Sequence, residues 1–114
     1  MDFKIKNNFE SRCSESNKII EKYPQRVPII VEKCNKSQIN DIDKNKYLVP
    51  KDMTIGQFIY VIRKRLKLKP SEAIFVTINN EMCTSSEILS DIYDRHKNHD
   101  GFLYVTYSSE NTFG

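Results

Sequence analysis

A capped amphipathic helix near the middle of the chain limits the possible folds more than any other segment. Thr54 and Gln57 have the spacing of a capping box, in which each side chain satisfies a backbone N–H at the start of a helix. The apolar residues that follow recur at helical spacing, and they are Ile55, Phe58, Ile59, Ile62 and Leu66. One face of this helix must therefore pack against another layer of the protein. Val61 falls off the apolar stripe, and we expect it to point toward solvent.

Short segments rich in β-branched and aromatic residues surround that helix and predict a sheet. They occupy residues 27–32, 47–49, 74–78 and 102–107. Lys44, Lys46 and Pro50 flank the second segment. Lysine and proline are typical of strands at the edge of a sheet, because they hinder pairing with another strand. We therefore expect residues 47–49 to form an edge strand.

The remaining segments complete a recognisable order of elements. Residues 1–23 predict two short helices that Pro24 ends. Thr84 and Glu87 repeat the capping-box spacing, which predicts a further helix directly after them. The resulting order predicts an α+β fold, a ubiquitin-like β-grasp with a four-stranded mixed sheet and a central helix, preceded by two N-terminal helices. The predicted units are a helical pair (1–25), the β-grasp (26–107) and a flexible C-terminal tail (108–114).

Composition argues against several classes of protein. The 114 residues are 39% apolar and 29% charged, which fits one globular domain. No segment approaches the ~20 apolar residues that span a bilayer. The three cysteines (13, 34 and 83) suggest neither a disulfide framework nor a zinc site. Reduced cysteines and an N-terminus without a signal peptide predict a cytoplasmic protein. With no glycine-rich phosphate loop and no recognisable catalytic motif, we expect that it is not an enzyme and needs no metal or cofactor.

The charges are unevenly distributed along the chain. Residues 51–69 hold six Lys and Arg against one acidic residue, whereas residues 81–114 hold two against six. The basic middle is compatible with an acidic partner. However, the aromatic residues fall mostly at core positions rather than on an exposed stacking platform, so no nucleic-acid partner is expected. The alternative that stays open is a small basic domain that binds proteins or nucleic acid.

Several stretches of the chain together resemble one known family. They are Lys22–Lys33, Asp41–Pro50, Met53–Phe58 with Ile62–Arg65, Asn79-Asn80, and Asp100–Tyr104 with Tyr107-Ser108 and Phe113-Gly114. In order and spacing they resemble the autophagy-related ubiquitin-like modifiers, the family of GABARAP and the microtubule-associated light-chain-three proteins. The resemblance extends over essentially the whole chain.

This resemblance implies attachment to a lipid through Gly114. Activating and conjugating enzymes would pass the chain along as thioesters, until the Gly114 carboxylate is joined to the amine of phosphatidylethanolamine. Glycine has no side chain to obstruct a narrow enzyme channel, and two acyl chains give a lasting membrane anchor. The protein would then move from the cytoplasm to the autophagosome membrane and recruit cargo receptors and autophagy factors. Whether a precursor continues beyond Gly114, to be trimmed by a processing cysteine protease, stays open.

The resemblance also implies a groove for an aromatic-x-x-aliphatic peptide that adds to the strand at 46–49 by β-augmentation. The implied aromatic pocket comprises Glu15, Ile19, Pro28, Ile30, Lys46, Leu48 and Phe102. The implied aliphatic pocket comprises Tyr47, Val49, Pro50, Met53, Phe58, Val61 and Ile62. Contacts to acidic residues flanking the peptide anchors are implied for Arg26, Lys44, Lys46 and Arg65. Periodicity alone explains Ile30, Phe58 and Ile62 equally well as core residues.

Two departures from the family pattern affect the expected partners. Thr77 stands where the family commonly has an aromatic residue, and residues 81–84 replace an apolar-proline turn. The enzyme contacts expected at that face, and the choice of partners, therefore stay open.

Overall fold

The computed structural model describes residues 2–110 and has its helices and strands in the predicted order. The helices are α1 (Asp2–Lys6), α2 (Phe9–Lys22), α3 (Ile55–Leu66) and α4 (Leu89–His96). The strands are β1 (Arg26–Lys33), β2 (Lys46–Pro50), β3 (Phe75–Thr77) and β4 (Leu103–Ser108). Within the described residues they form one mixed sheet in the order β2-β1-β4-β3, with β1 antiparallel to β2 and parallel to β4. The predicted α+β ubiquitin-like β-grasp with two preceding helices is confirmed.

The predicted capping box starts α3. The Thr54 hydroxyl accepts a 3.1 Å hydrogen bond from the Gln57 backbone N–H, and the Gln57 side chain accepts a 3.0 Å bond from the Thr54 N–H. The helix ends at Lys67, whose φ of 56° is left-handed. The capping box therefore fixes the start of the helix as the sequence predicts, whereas a left-handed lysine at its end is not indicated by the sequence, because glycine usually occupies that position.

The second predicted capping box is wrong. Helix α4 begins only at Leu89, and its N-cap residue Ile88 makes no side-chain cap bond. The Glu87 carboxylate accepts a 2.8 Å bond from the Thr84 N–H, but these two residues close a turn rather than start a helix. The carbonyl of Glu87 accepts a bond from the Ile55 N–H at the start of α3. This tertiary contact holds residues 87–88 in an extended conformation, so the helix begins after them.

Side chains on the two faces of the sheet form two separate apolar clusters. The larger lies between the sheet and α3 and α4; it includes Val27, Ile29, Phe58, Ile62, Leu89, Ile92, Leu103 and Tyr107. The smaller lies on the opposite face, where Phe3, Ile30 and Phe102 pack with Ile19 and Tyr104. Neighbouring strand residues point to opposite faces, so Ile29 and Ile30 enter different clusters. Both clusters therefore border the same sheet.

Val61 differs from the expectation that it points into solvent. It is half-buried and packs against the larger cluster, because the buried face of α3 is wider than the five-residue stripe. Tyr60 is the more exposed neighbour, with 58% of its surface accessible. Thr77 is buried in β3 opposite Thr106. No helix among residues 2–110 has the length and apolar character needed to cross a membrane.

Candidate peptide-binding site

Strand β2 lies at the edge of the sheet, as predicted. The Lys51 N–H bonds the Gln25 carbonyl at 3.1 Å, and the Val31 N–H bonds the Asn45 carbonyl at 2.7 Å. In an antiparallel ladder the hydrogen-bonded pairs alternate, and these two bonds are in phase with the pairs Val27–Val49 and Ile29–Tyr47. The backbone groups of Tyr47 and Val49 therefore face β1.

The backbone groups of Lys46 and Leu48 consequently point away from the sheet. This arrangement also explains why a proline is tolerated at position 28 inside β1. Pro28 lies opposite Leu48 and precedes Ile29, the first residue paired with β4, so no backbone N–H is needed there. The Arg26 guanidinium donates a 3.2 Å bond to the Leu48 carbonyl and occupies part of this edge. The edge can otherwise accept a further strand.

The residues predicted for the aromatic pocket lie together between α2 and the sheet. Residues opposite each other in the ladder share a face, so the pairs Pro28–Leu48 and Ile30–Lys46 lie on the α2 side. The remaining three predicted residues are Glu15, whose carboxylate lies 2.6 Å from the Lys46 ammonium, and Ile19 and Phe102, which pack in the smaller cluster with Ile30. The structure thus brings all seven residues into one region.

The predicted aromatic pocket is closed in this structure. Ile30 and Phe102 are 0% and 1% exposed, so they form its floor. The Phe3 ring packs edge-on against Phe102, with the ring centres 5.3 Å apart. The Lys46 ammonium, held by Glu15, lies 5.2 Å from the centre of the Phe3 ring. An incoming aromatic side chain must therefore displace this cover.

Phe3 was not among the predicted pocket residues. The sequence identifies it only as an apolar residue in a predicted helix, and nothing local indicates which face of the sheet it covers. Its position depends on contacts with residues far along the chain, including a 3.2 Å bond from its N–H to the Glu32 carboxylate.

The residues predicted for the aliphatic pocket lie on the other face, between β2 and α3. Tyr47 and Val49 point into the larger cluster, where the Tyr47 ring meets Phe58 edge-on with ring centres 5.4 Å apart. Phe58 and Ile62 are fully buried, whereas Met53 and Val61 are half-buried and Pro50 is exposed at the end of β2. The accessible part of this pocket is therefore formed mainly by Met53 and Val61.

Positive charges border the aliphatic side of the groove. The Lys44 ammonium lies 5.2 Å from the centre of the Tyr47 ring. Arg65 pairs with the Asp43 carboxylate at 3.1 Å. The buried hydroxyl of Tyr47 has no hydrogen-bond partner among the described residues, and burial raises its pKa although the positive charge of Arg65 opposes that rise. An acidic partner residue can compete for the exposed Arg65–Asp43 pair, because such pairs are weak.

The basic run on α3 is partly engaged within the fold. The Arg63 guanidinium donates to the carbonyl oxygens of Glu72 and Lys69, at 2.8 and 2.9 Å. Lys64 lies over the Tyr60 ring. Arg63 and Arg65 therefore each have a partner within the fold.

Gly114, the predicted site of lipid conjugation, lies outside the described residues, as do residues 111–113 of the predicted tail. Among residues 2–110 there is no group of His, Cys, Asp or Glu side chains arranged to hold a metal ion.

A family model described as autophagy protein Atg8, ubiquitin-like, matches residues 11–114. The chain belongs to the Atg8 family. Autophagy-related protein 8a of Arabidopsis thaliana is 58% identical over 112 residues, which is 98% of this chain and 92% of the relative. Autophagy-related protein 8 of Schizosaccharomyces pombe is 57% identical, over 98% of this chain and 93% of that protein.

Solved structures of Atg8 proteins agree with this assignment. The crystal structure of Trypanosoma brucei ATG8 matches with a TM-score of 0.90 and 45% identity, over 95% of this chain and 93% of that one. Plasmodium falciparum Atg8, solved in complex with an Atg3 peptide from the same organism, matches with a TM-score of 0.88 and 33% identity, over 95% of each chain. The present chain is thus an autophagy protein with the ubiquitin-like fold of its family.

Proposed function

We propose that this Atg8 protein is a ubiquitin-like modifier that is conjugated to phosphatidylethanolamine and then recruits proteins carrying an aromatic-x-x-aliphatic peptide. The observation that carries the recruiting role is the edge of β2. Its outward-facing backbone groups at Lys46 and Leu48 lie between the two apolar clusters on opposite faces of the sheet, where the two proposed pockets would form. Alternate side chains of an added strand would point into these two pockets.

The conjugation step would use the carboxyl group of Gly114. The activating enzyme would first use ATP to convert the carboxylate into an acyl adenylate with release of pyrophosphate, and its cysteine thiolate would then displace AMP to form a thioester. Thiol exchange would pass this thioester to a cysteine of the conjugating enzyme. The lipid amine would then attack the carbonyl, so that an amide C–N bond forms, the C–S bond breaks, and the thiolate leaves with the proton released by the amine. In this step the protein is the substrate of the enzymes rather than a catalyst. The Atg3 peptide complex of the Plasmodium falciparum relative supports a conjugating enzyme as a partner.

The partners proposed for the groove are cargo receptors and autophagy factors. Once the protein is lipidated, it would bind them at the autophagosome membrane. Positive charge at Arg26, Lys44 and Arg65 favours peptides whose anchors are flanked by acidic residues. Because these side chains are exposed, we expect them to affect the association rate and specificity more than the final affinity.

Conjugation can be tested with purified activating and conjugating enzymes, ATP and liposomes that contain phosphatidylethanolamine. We expect Gly114→Ala to abolish the lipidated product, because the added methyl group obstructs the enzyme channel. Liposomes without phosphatidylethanolamine are the control for the lipid. Conversion of the alanine variant at the wild-type rate would contradict the proposed role of Gly114.

Strand addition at β2 can be tested by two substitutions at Leu48. Leu48→Ala removes a half-buried pocket side chain, and we expect it to weaken peptide binding by about 1–2 kcal/mol. Leu48→Pro also removes the outward N–H, which should cost about 1 kcal/mol more. Proline is tolerated on an edge strand, so the fold should persist. Equal binding of both variants in calorimetry would exclude a peptide hydrogen bond at this N–H.

A further inference from the structure

Helix α2 forms one wall of the aromatic pocket, yet it has little apolar surface with which to dock on the sheet. Within this helix the fully buried residue is Ser16, and Ile19 is only half-buried. Phe9 and Ile20 are 49% and 36% exposed. Apolar burial supplies most of the docking free energy of a typical surface helix. Polar contacts must therefore contribute an unusual share of what positions α2.

Those polar contacts converge on Asp100, whose side chain is fully buried in the turn before β4. One carboxylate oxygen lies 2.6 Å from an Arg12 guanidinium nitrogen and 2.5 Å from the Tyr104 hydroxyl, and both groups donate to it. The other oxygen accepts a 2.8 Å bond from the Phe102 N–H. The Asp100 carbonyl accepts a 2.5 Å bond from the Ser16 hydroxyl. A buried carboxylate with these partners is well satisfied.

The turn at Asp100 and Gly101 packs tightly against α2. Gly101 adopts a φ of +92°, and a Cβ atom there would lie 2.4 Å from the Ser16 oxygen. The Gly101 carbonyl also accepts a 2.6 Å bond from the Tyr93 hydroxyl of α4. Arg12 also contacts the segment between α1 and α2, where its Nε donates a 3.1 Å hydrogen bond to the Asn7 carbonyl. The turn, α2 and the end of α1 thus share one contact region.

This contact region adjoins the proposed aromatic pocket. Arg12, Glu15 and Ile19 are three and four residues apart, so they lie along one face of α2. Phe102 follows Asp100 by two residues, and its backbone is tied to that carboxylate. The Arg12–Asp100 bond thus joins the helical wall of the proposed pocket to the turn that leads into its floor. The residues of the proposed aliphatic pocket lie across the sheet and make none of the hydrogen bonds named above, although Tyr93 packs against the larger cluster on that side.

We propose that Arg12 and Asp100 are positioning residues that set the geometry of the aromatic pocket and thereby its affinity for the aromatic anchor of a partner peptide. This inference rests on the proposed peptide-binding function. Neither residue touches the peptide; they act through α2 and Phe102. Their effect is consequently confined to the aromatic anchor and leaves the aliphatic anchor unaffected.

The test is a thermodynamic cycle with two peptides, one with the aromatic-x-x-aliphatic sequence and one with alanine in place of the aromatic residue. Arg12→Met keeps the length of the side chain but removes its donors. Binding is followed by NMR titration, which also measures weak binding. We expect this variant to bind the first peptide about 3- to 30-fold more weakly, and the alanine peptide as the wild type does.

Three further variants complete the test. Arg12→Lys keeps the charge and should recover part of the affinity, whereas Tyr104→Phe removes one donor and should weaken only the aromatic peptide. Arg95→Met is the matched control, because Arg95 pairs with Glu87 on the exposed side of α4. Tyr104→Phe decides the matter if Arg12→Met does not fold, since it removes a single hydroxyl.

The outcomes separate this inference from the proposed function. If the wild type binds neither peptide, the proposed groove is wrong, and the positioning role is overturned with it. If the wild type binds and the folded variants bind both peptides as the wild type does, only the positioning role is overturned. Equal weakening for both peptides would also overturn it, because that result indicates a general loss of structure.

Discussion

The Lys46 ammonium donates a 2.6 Å hydrogen bond to a carboxylate oxygen of Glu15, which connects edge strand β2 to helix α2. The two side chains are 48% and 33% exposed, so the pair contributes only about 0–1 kcal/mol to stability. Because the pair is weak and exposed, an acidic peptide residue can replace Glu15 as the partner of the Lys46 ammonium at the mouth of the proposed aromatic pocket. A charge there attracts acidic peptides before they bind.

Lys46→Met should therefore slow association more than it speeds dissociation. For a peptide with acidic residues beside its aromatic anchor, we expect a several-fold lower kon at low salt and a smaller difference at high salt, because salt screens exposed charges. Stopped-flow fluorescence at two salt concentrations measures both effects. Lys67→Met, beyond the end of α3, is the matched control. A change confined to koff would show that Lys46 acts by direct contact instead.

The two threonines of the predicted capping boxes should differ in their contribution to stability. Thr54→Ala removes the hydroxyl that accepts the Gln57 N–H and should cost about 0.5–2 kcal/mol. Thr84 lies in a turn instead of capping α4, so Thr84→Ala should cost about 0.5 kcal/mol or less. Urea unfolding followed by circular dichroism compares them. Equal losses would mean that residues 84–87 cap a helix after all.

Ile62 and Tyr60 differ in burial although both lie on α3. Ile62 is 0% exposed, so Ile62→Ala should lower the free energy of unfolding by about 2–5 kcal/mol, since it leaves a cavity in the larger cluster. Tyr60 is 58% exposed, and Tyr60→Ala should change it by about 0.5 kcal/mol. Chemical denaturation measures both. A large loss for Tyr60→Ala would contradict the orientation of α3.

Much of the fold follows from contacts that are local in sequence. The capping box and apolar spacing between Thr54 and Leu66 predict α3, and the lysines and Pro50 beside β2 predict an edge strand. Local pattern was misleading at Thr84, because a backbone bond from Ile55 to Glu87 competes with helix formation there. Spacing within one segment contains no information about such a tertiary contact.

The proposed pockets show the same limit of prediction. The family resemblance implies a set of residues for each pocket, and the structure places each set on its own face of the sheet. The resemblance gives no sign that Phe3 covers Phe102, or that Asp100 joins Arg12 to Tyr104. These contacts connect the two ends of the chain, and an aspartate before a glycine predicts only a turn. Their role depends on packing in three dimensions.

The buried hydroxyl of Tyr107 predicts a loss of stability at alkaline pH. It donates to the Asn40 carbonyl and accepts from the Ile42 N–H, each at 2.8 Å, and burial raises its pKa to about 12. An unfolded tyrosine has a pKa of about 10. The stabilisation of the fold by the protonated Tyr107 hydroxyl is therefore complete below pH 10, and it declines by about 1–3 kcal/mol as the pH rises toward 12. Tyr107→Phe should be less stable than the wild type at neutral pH, but its free energy of unfolding should fall less above pH 10. The control Tyr60→Phe should show the same pH dependence of stability as the wild type. Urea midpoints across this pH range measure the difference, and parallel curves for wild type and Tyr107→Phe would contradict the assignment.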